Sequence, residues 1–209
     1  MRGKIKQRSV LLASGGLDST ALAFWLRAKR VPFEVLFVNY GQHCAETELA
    51  TLKRVLPKAM LRRLAVVDVS SVYSGSNSRL IRETDLWRER IGHDDLYLPY
   101  RNILLLSIAA ARVQSRGGGE VYAAFINSNH AIEIDCSADF FGRLAALLHS
   151  FGGVRVKMPF RFKSKAAVAR IGIRLKAPIG ETFSCQVNSD VPCGACPNCV
   201  DRLKALEKL

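Results

Sequence analysis

The sequence predicts an α/β fold, a parallel twisted sheet with helices on both faces. Three observations predict it. Short apolar runs recur along the chain, stretches with helical spacing follow them, and the first run passes directly into a glycine-rich turn that opens a helix. Val10–Ala13 is an apolar run of the buried, parallel-strand type. Residues 19–30 then space apolar side chains at i,i+4, with Leu22 and Leu26 on one face, and Pro32 ends the helix. Val35–Val38 is the second strand, about Ala45 to Leu56 a helix, and Leu64–Val67 the third strand. Residues 70–98 are polar and irregular, which in a compact domain marks a functional or mobile loop. Asn102 to Arg116 reads as a helix stopped by Gly117-Gly118-Gly119, then come a strand from Glu120 to Ile126 and a helix from Asp139 to Phe151. A strand at Val154–Met158, a helix capped by Ser164 and a helical tail from Pro197 complete the pattern.

The 209 residues suffice for one domain with a substantial core. The expected organisation is an α/β domain over 1–180, with 181–209 as a metal-bound segment and helix packed on it. No apolar run is long enough to span a bilayer, and the basic N-terminus lacks the pattern of a secretory signal, so the expectation is a cytoplasmic protein. The net charge of +13 favours anionic partners such as nucleotides, nucleic acid or acidic protein surfaces. Because the basic residues are spread along the chain, a solvated basic surface with one phosphate site explains the charge equally.

The turn after the first strand is Ser14-Gly15-Gly16-Leu17-Asp18-Ser19-Thr20. Its glycines let the backbone turn tightly and approach a ligand, and the N–H groups at the following helix N-terminus face an anion. Ser14, Ser19 and Thr20 add hydroxyls. Asp18 would repel phosphate alone, so its expected role is to help hold a Mg²⁺ that bridges to phosphate. The alternative is an ordinary glycine turn with capping hydroxyls. The spacing fits neither the Walker loop nor the three-glycine dinucleotide fingerprint.

Four of the six cysteines, Cys185, Cys193, Cys196 and Cys199, form C-x7-C-x2-C-x2-C. Overlapping C-x-x-C turns aim thiolates at one ion, and four thiolates leave no open coordination position, so Zn²⁺ here is structural. An iron–sulfur cluster is the rival occupant. Cys44 and Cys136 are read as small buried side chains outside the ligand set.

The turn resembles the S-G-G-x-D-S signature of PP-loop N-type ATP pyrophosphatases. Together with the cysteine motif, the chain resembles the 7-cyano-7-deazaguanine synthase family over nearly its whole length. Asn39-Tyr40-Gly41-Gln42 ends strand two, Pro99-Tyr100-Arg101-Asn102 is similar to the family's Pro-x-Arg-Asn element, and Asp135-Cys136 with Phe140 to its Asp-Cys-x-x-x-Phe element. Lys165 resembles the lysine before its late helix, and Thr182–Cys185 with Cys193–Cys199 its zinc site. The resemblance implies an ATP-dependent ligase acting in queuosine biosynthesis as a homodimer. ATP adenylates 7-carboxy-7-deazaguanine, ammonia displaces AMP to give an amide, and a second ATP drives loss of the amide oxygen to leave the nitrile. It implies Asp18, Arg101 and Lys165 as catalytic, and Ser14 to Thr20 with Asn39 and Tyr40 as the ATP site. Gln42, Asn102, Asn127 and Asp135 are the implied substrate contacts. Asn102 as a plain helix cap and Lys165 as a solvated helix lysine are the competing readings of those two residues.

The sequence departs from the family before Asp135. An acidic residue followed by Ser-Gly-Tyr-Pro is typical there, and this chain has Asn127 to Ile134, including His130 and Glu133. The departure allows a diverged relative with the same adenylation chemistry but another acid, or a macromolecular acceptor such as a protein or nucleic acid. Two other classes compete. A PP-loop enzyme that inserts sulfur into tRNA needs a reactive cysteine near the loop, and a zinc-ribbon binding module has no need of a pyrophosphate site.

Overall fold

The computed structural model describes residues 9–83, 88, 94–126 and 135–208. Asn127, His130 and Glu133 lie outside these residues. The chain runs β1 (Ser9–Leu12), α1 (Leu17–Ala28), β2 (Phe33–Asn39), α2 (Ala45–Val55), α3 (Lys58–Leu61), β3 (Leu64–Asp68), α4 (Arg101–Gln114), β4 (Glu120–Tyr122), α5 (Ala138–Gly152), β5 (Arg155–Lys157), α6 (Lys165–Arg174) and α7 (Pro197–Leu206). The five strands form one sheet in the order β3-β2-β1-β4-β5. Every pairing is parallel, with Leu11 opposite Val35 on one side and Tyr122 on the other.

Alternation along the strands divides the apolar residues between two layers. Leu11, Val35, Phe37 and Tyr122 face a core built with Leu22 and Leu26 of α1, Leu52 of α2 and Val168 of α6. Val10, Leu36, Val38 and Val121 face the opposite core, with Leu106 and Ala109 of α4 and Phe141 and Leu144 of α5. Both faces are therefore covered, as a parallel sheet requires.

Ser164 caps α6, its Oγ accepting from the Ala167 N–H at 3.3 Å, as the sequence predicts. Ser137 caps α5 in the same way. Two expectations are corrected. The strand from Glu120 ends at Tyr122 and does not reach Ile126. Its neighbours run out there, because β1 becomes the glycine-rich turn and β5 stops at Lys157. Asn102 is not a cap. The helix starts one residue earlier, at Arg101, behind Tyr100 at φ 58°, and the Asn102 side chain is buried.

Polar side chains also tie the layers. Glu34 of β2 is buried and accepts from both Arg112 of α4 and Arg116 in the turn just after it. Arg112→Met combined with Arg116→Met would leave that carboxylate buried and unpaired. Urea unfolding should show a loss of about 3 kcal/mol, most of it recovered when Glu34→Leu is added.

Candidate active site and cysteine cluster

In the order β3-β2-β1-β4-β5 the chain reverses direction across the sheet between β1 and β4. Ligands of open α/β sheets bind beyond the carboxyl ends of the strands at such a point. A cavity of about 240 Å³ lies there, walled by the ends of β1 and β2, by residues 123–126 after β4, and by the glycine-rich turn.

Gly15 adopts φ +78°, and a Cβ on it would stand 2.7 Å from the carbonyl oxygen of Glu48 and 2.8 Å from the Leu52 nitrogen. A side chain is excluded there both by the backbone angle and by the close approach of α2. The hydroxyls brace the turn. Ser14 N–H donates to Ser19 Oγ (3.3 Å), Ser19 Oγ donates to the Gly16 carbonyl (3.2 Å), and Gly16 N–H donates to Ser14 Oγ (3.4 Å). Gly16 occupies the N-cap position of α1, so the unpaired N–H groups of that first turn open toward the cavity as an anion site.

Asp18 of α1 and Lys165 at the start of α6 meet beside this anion site, with Lys165 Nζ 3.8 Å from Asp18 Oδ2. The Lys165 side chain is 11% exposed, which corrects the solvated-lysine reading. Burial pushes the Asp18 carboxyl up, and the neighbouring Lys165 opposes the shift. Asp18 Oδ1 is buried without a hydrogen-bond partner among the described residues, which suits a bound cation. Arg101 enters from α4 on the opposite side and is hydrogen-bonded to Tyr40. Burial works against its charge, but Tyr40, Asp135 and Cys136 outweigh it and raise the pKa, so the guanidinium stays positive.

Of the sequence-predicted residues, Ser14, Gly16, Leu17, Asp18 and Ser19 line the cavity, and so do Tyr40, Gln42, Arg101, Asn102 and Lys165. Gly15 lies behind the turn against α2, and Thr20 is fully buried in the core. The Asn39 side chain turns outward, donating to Asp68 at 2.7 Å and accepting from Gly41 N–H at 3.0 Å. Asp135 is buried behind the wall, where its carbonyl accepts from Asn102 Nδ2 at 3.0 Å. The same amide donates to Cys136 Sγ. Arg161 holds the ends flanking residues 127–134, donating to the carbonyls of Ile126 and Cys136.

The cavity also contains residues that the sequence reading assigned to the zinc site or did not single out. Phe183, Ser184, Gln186 and Asn198 reach it from the cysteine segment. Glu48 of α2 lines it as well, and burial pushes this carboxyl from 4.5 to about 7, against the opposing hydrogen bonds of Gln42 and Cys44. The signal for Glu48 was its spacing, four residues before Leu52 on the buried face of α2.

The sulfurs of Cys185, Cys193, Cys196 and Cys199 lie within 4.8 Å of one another. Backbone N–H groups donate to them, from Asn188 and Cys193 to Cys185, from Cys196 to Cys193, and from Cys199 to Cys196. This sulfur set fits a tetrahedral ion, and the N–H donors favour thiolates. Cys44 is packed beside the cluster but outside the ligand group. The segment is fastened to the α/β layers by Phe183 N–H donating to the Gly15 carbonyl (3.2 Å) and by His43 contacting Ser189 and the Gln186 carbonyl. Arg202 of α7 is buried and donates to Thr182 and to the carbonyls of Ile179 and Gly180.

Two outcomes test this site. Cys199→Ser should lower bound zinc from about one ion per chain to near zero by elemental analysis, and should loosen the segment in hydrogen exchange. The raised pKa of Glu48 means the folded protein binds its proton more tightly than the unfolded chain between pH 4.5 and about 7. Stability should therefore fall as pH rises through that window, and Glu48→Gln should flatten this part of a urea-midpoint series.

Comparison with known proteins agrees with the geometry. The family model described as "Queuosine biosynthesis protein QueC" matches residues 8–209. A 7-cyano-7-deazaguanine synthase of Methanospirillum hungatei is 29% identical, over 97% of this chain and 96% of its own length. Those of Archaeoglobus fulgidus and Picrophilus torridus are 33% and 31% identical, over 95% and 94% of this chain and 85% and 86% of their own lengths. Among the described residues no helix is long and apolar enough to cross a membrane. A parallel sheet carrying this glycine-rich turn, a cavity at its switch point and a four-cysteine cluster, matched along almost the entire sequence, places the chain in the QueC family of queuosine biosynthesis proteins.

Proposed function

We propose that this protein converts 7-carboxy-7-deazaguanine and ammonia to 7-cyano-7-deazaguanine, with two ATP-dependent activations at the one cavity. The observation that carries the reading is the meeting of Lys165, Asp18 and the α1 N-terminus on one side of the cavity with Arg101 on the other. An adenylation releases pyrophosphate, so the site must stabilise growing negative charge on the leaving group. In this reading the turn at Ser14–Ser19 holds the phosphates of ATP, and Lys165 and Arg101 neutralise the leaving pyrophosphate. Asp18, with its unpartnered Oδ1, is the residue that would hold Mg²⁺ beside the phosphates. The ion would supply charge neutralisation there.

Tyr40, Gln42 and Asn102 border the remaining volume, where the deazaguanine acid sits with its carboxylate toward the α-phosphate of ATP. Attack of that carboxylate expels pyrophosphate, ammonia then displaces AMP, and the amide oxygen is activated and lost in the second round. Asn39, Thr20 and Gly15 act in this reading by holding the loop and not by touching ATP, and Asp135 acts by seating Asn102. The four cysteines hold a structural Zn²⁺, and residues 181–209 form a metal-bound segment on the 1–180 domain. The assembly is a cytoplasmic homodimer.

A second reading keeps the adenylation and changes the acid or its acceptor. What favours it is the sequence of residues 127–134, which lacks the family's Ser-Gly-Tyr-Pro.

Mass spectrometry of the zinc-loaded protein with Mg-ATP, ammonium and 7-carboxy-7-deazaguanine tests both. Nitrile and AMP are the expected products. Adenylation of the acid without nitrile, or ATP turnover only with another acid or a macromolecular acceptor, would favour the second reading. Lys165→Met should lower kcat by about 10²–10³-fold while leaving the zinc content unchanged.

A further inference from the structure

Two acidic side chains line the cavity among the described residues, Asp18 and Glu48. Asp18 faces Lys165 at the phosphate end. Glu48 is different, because its hydrogen-bond partners are neutral. Its Oε2 accepts from Gln42 Nε2 at 2.9 Å, and the Cys44 thiol donates to it. Gln42 is itself locked, its Oε1 accepting from Tyr40 N–H at 2.9 Å and its Nε2 also donating to the Val38 carbonyl at 3.3 Å. The backbone of Glu48 is pressed against Gly15, so the carboxyl is held at a fixed place relative to the ATP turn. A carboxylate held rigidly in a partly desolvated wall, hydrogen-bonded among the described residues by neutral Gln42 and Cys44 and with Arg101 acting on it only through its charge, is suited to a small cationic ligand.

We infer that Glu48 is the ammonium site of this cavity: its carboxylate binds the incoming ammonium ion and takes one of its protons, releasing ammonia for attack. The inference rests on the amide-forming reaction proposed above. Ammonium has no lone pair, and at neutral pH it is the dominant form of ammonia in solution. Transfer of one proton to Glu48 frees the nitrogen lone pair. That pair forms the C–N bond at the carbonyl carbon of the acyl adenylate, and the C–O bond to phosphate breaks, with AMP leaving with its electrons. A second proton leaves the nitrogen to water, and Glu48 then returns its own proton to solvent. Burial holds this carboxyl near pKa 7, matched to a base at neutral pH. The ionisable groups facing it are Arg101 from α4, Cys44 at the start of α2 and Tyr40 after β2.

Hydroxylamine provides the test, because it is already neutral at pH 7 and needs no base to become a nucleophile. Wild type and Glu48→Gln are given Mg-ATP, 7-carboxy-7-deazaguanine and either ammonium or hydroxylamine. Pyrophosphate release, amide plus nitrile, and hydroxamate are measured, with zinc content and circular dichroism as checks of the fold. Glu48→Gln should lose about 100-fold or more of the ammonium-dependent rate, with the single-turnover burst of pyrophosphate and the rate of hydroxamate formation within about threefold of wild type. The wild-type ammonium-dependent rate should rise with pH through about 7, and this inflection should vanish in the variant. If Glu48→Gln does not fold, Glu48→Asp serves, and should lower the ratio of amide to hydroxamate. Equal losses with both nucleophiles, or an unchanged ammonium rate and pH profile, would overturn the inference. A wild-type protein that forms hydroxamate but no amide sinks the ammonium site alone, whereas one that activates no deazaguanine acid removes the underlying reading and the inference with it.

Discussion

At Gly15 the backbone has room for a hydrogen atom and nothing larger. The carbonyl of Glu48 and the nitrogen of Leu52 press on it from α2, and its own carbonyl accepts from Phe183 in the cysteine segment. Three parts of the chain meet at this one residue: the turn between β1 and α1, the first turns of α2, and the segment that carries the four cysteines. The close approach sets the depth at which the α1 N-terminus sits, and it positions Glu48 beside the cavity. It also makes the cysteine cluster part of the site's frame, because Thr182, just before Phe183, is held by Arg202, and Cys185, two residues after it, belongs to the cluster. A metal that fixes Cys185 thereby fixes the far wall of the cavity, where Phe183, Ser184 and Gln186 stand.

The cavity is electrically divided. Its end at the glycine-rich turn carries the helix N-terminus, Lys165 and the buried Asp18, and Arg101 of α4 lines it as well. Its other side is bordered by Tyr40, Gln42, Glu48 and Asn102, most of which are committed to hydrogen bonds inside the wall. Such bonds hold polar side chains in single orientations and reduce the reorganisation needed when charge develops. Tyr100 adds a local device. Its left-handed backbone turns the chain directly before Arg101, so that the arginine enters the cavity and the next residue, Asn102, is driven into the interior. Left-handed backbone at a residue other than glycine is costly and concentrates near functional sites, and this one lies one residue from the cavity.

Charge burial elsewhere serves the frame. Glu34 with Arg112 and Arg116 joins the middle of the sheet to α4, and Arg161 joins the two ends flanking residues 127–134 while lying over the Phe141 ring. Arg202 does the same for the turn before the cysteines. Arg161 and Arg202 each serve several acceptors with one planar guanidinium, and at Glu34 two guanidiniums share one carboxylate, geometries that suit arginine more than lysine.

The sequence by itself determined the layered α/β architecture, because strand and helix periodicities are local and each apolar face can be counted along the chain. It determined the glycine-rich turn, the Ser164 cap and the cysteine cluster for the same reason, since each is specified by residues a few positions apart. Only the tertiary structure decided the rest. Whether β4 continues past Tyr122 depends on where β1 and β5 stop. Asn102 could be a cap or a substrate contact until Asp135 and Cys136 are seen to take its amide, and only the packed chain shows Thr20 in the core and the Asn39 side chain bonded to Asp68. Glu48 looks like one more acid on an amphipathic helix, and becomes a desolvated group only when α2 is laid against Gly15. Local pattern specifies which backbone forms. The solvation of a polar side chain is set by whatever distant chain comes to rest against it, and no nearby residue records that.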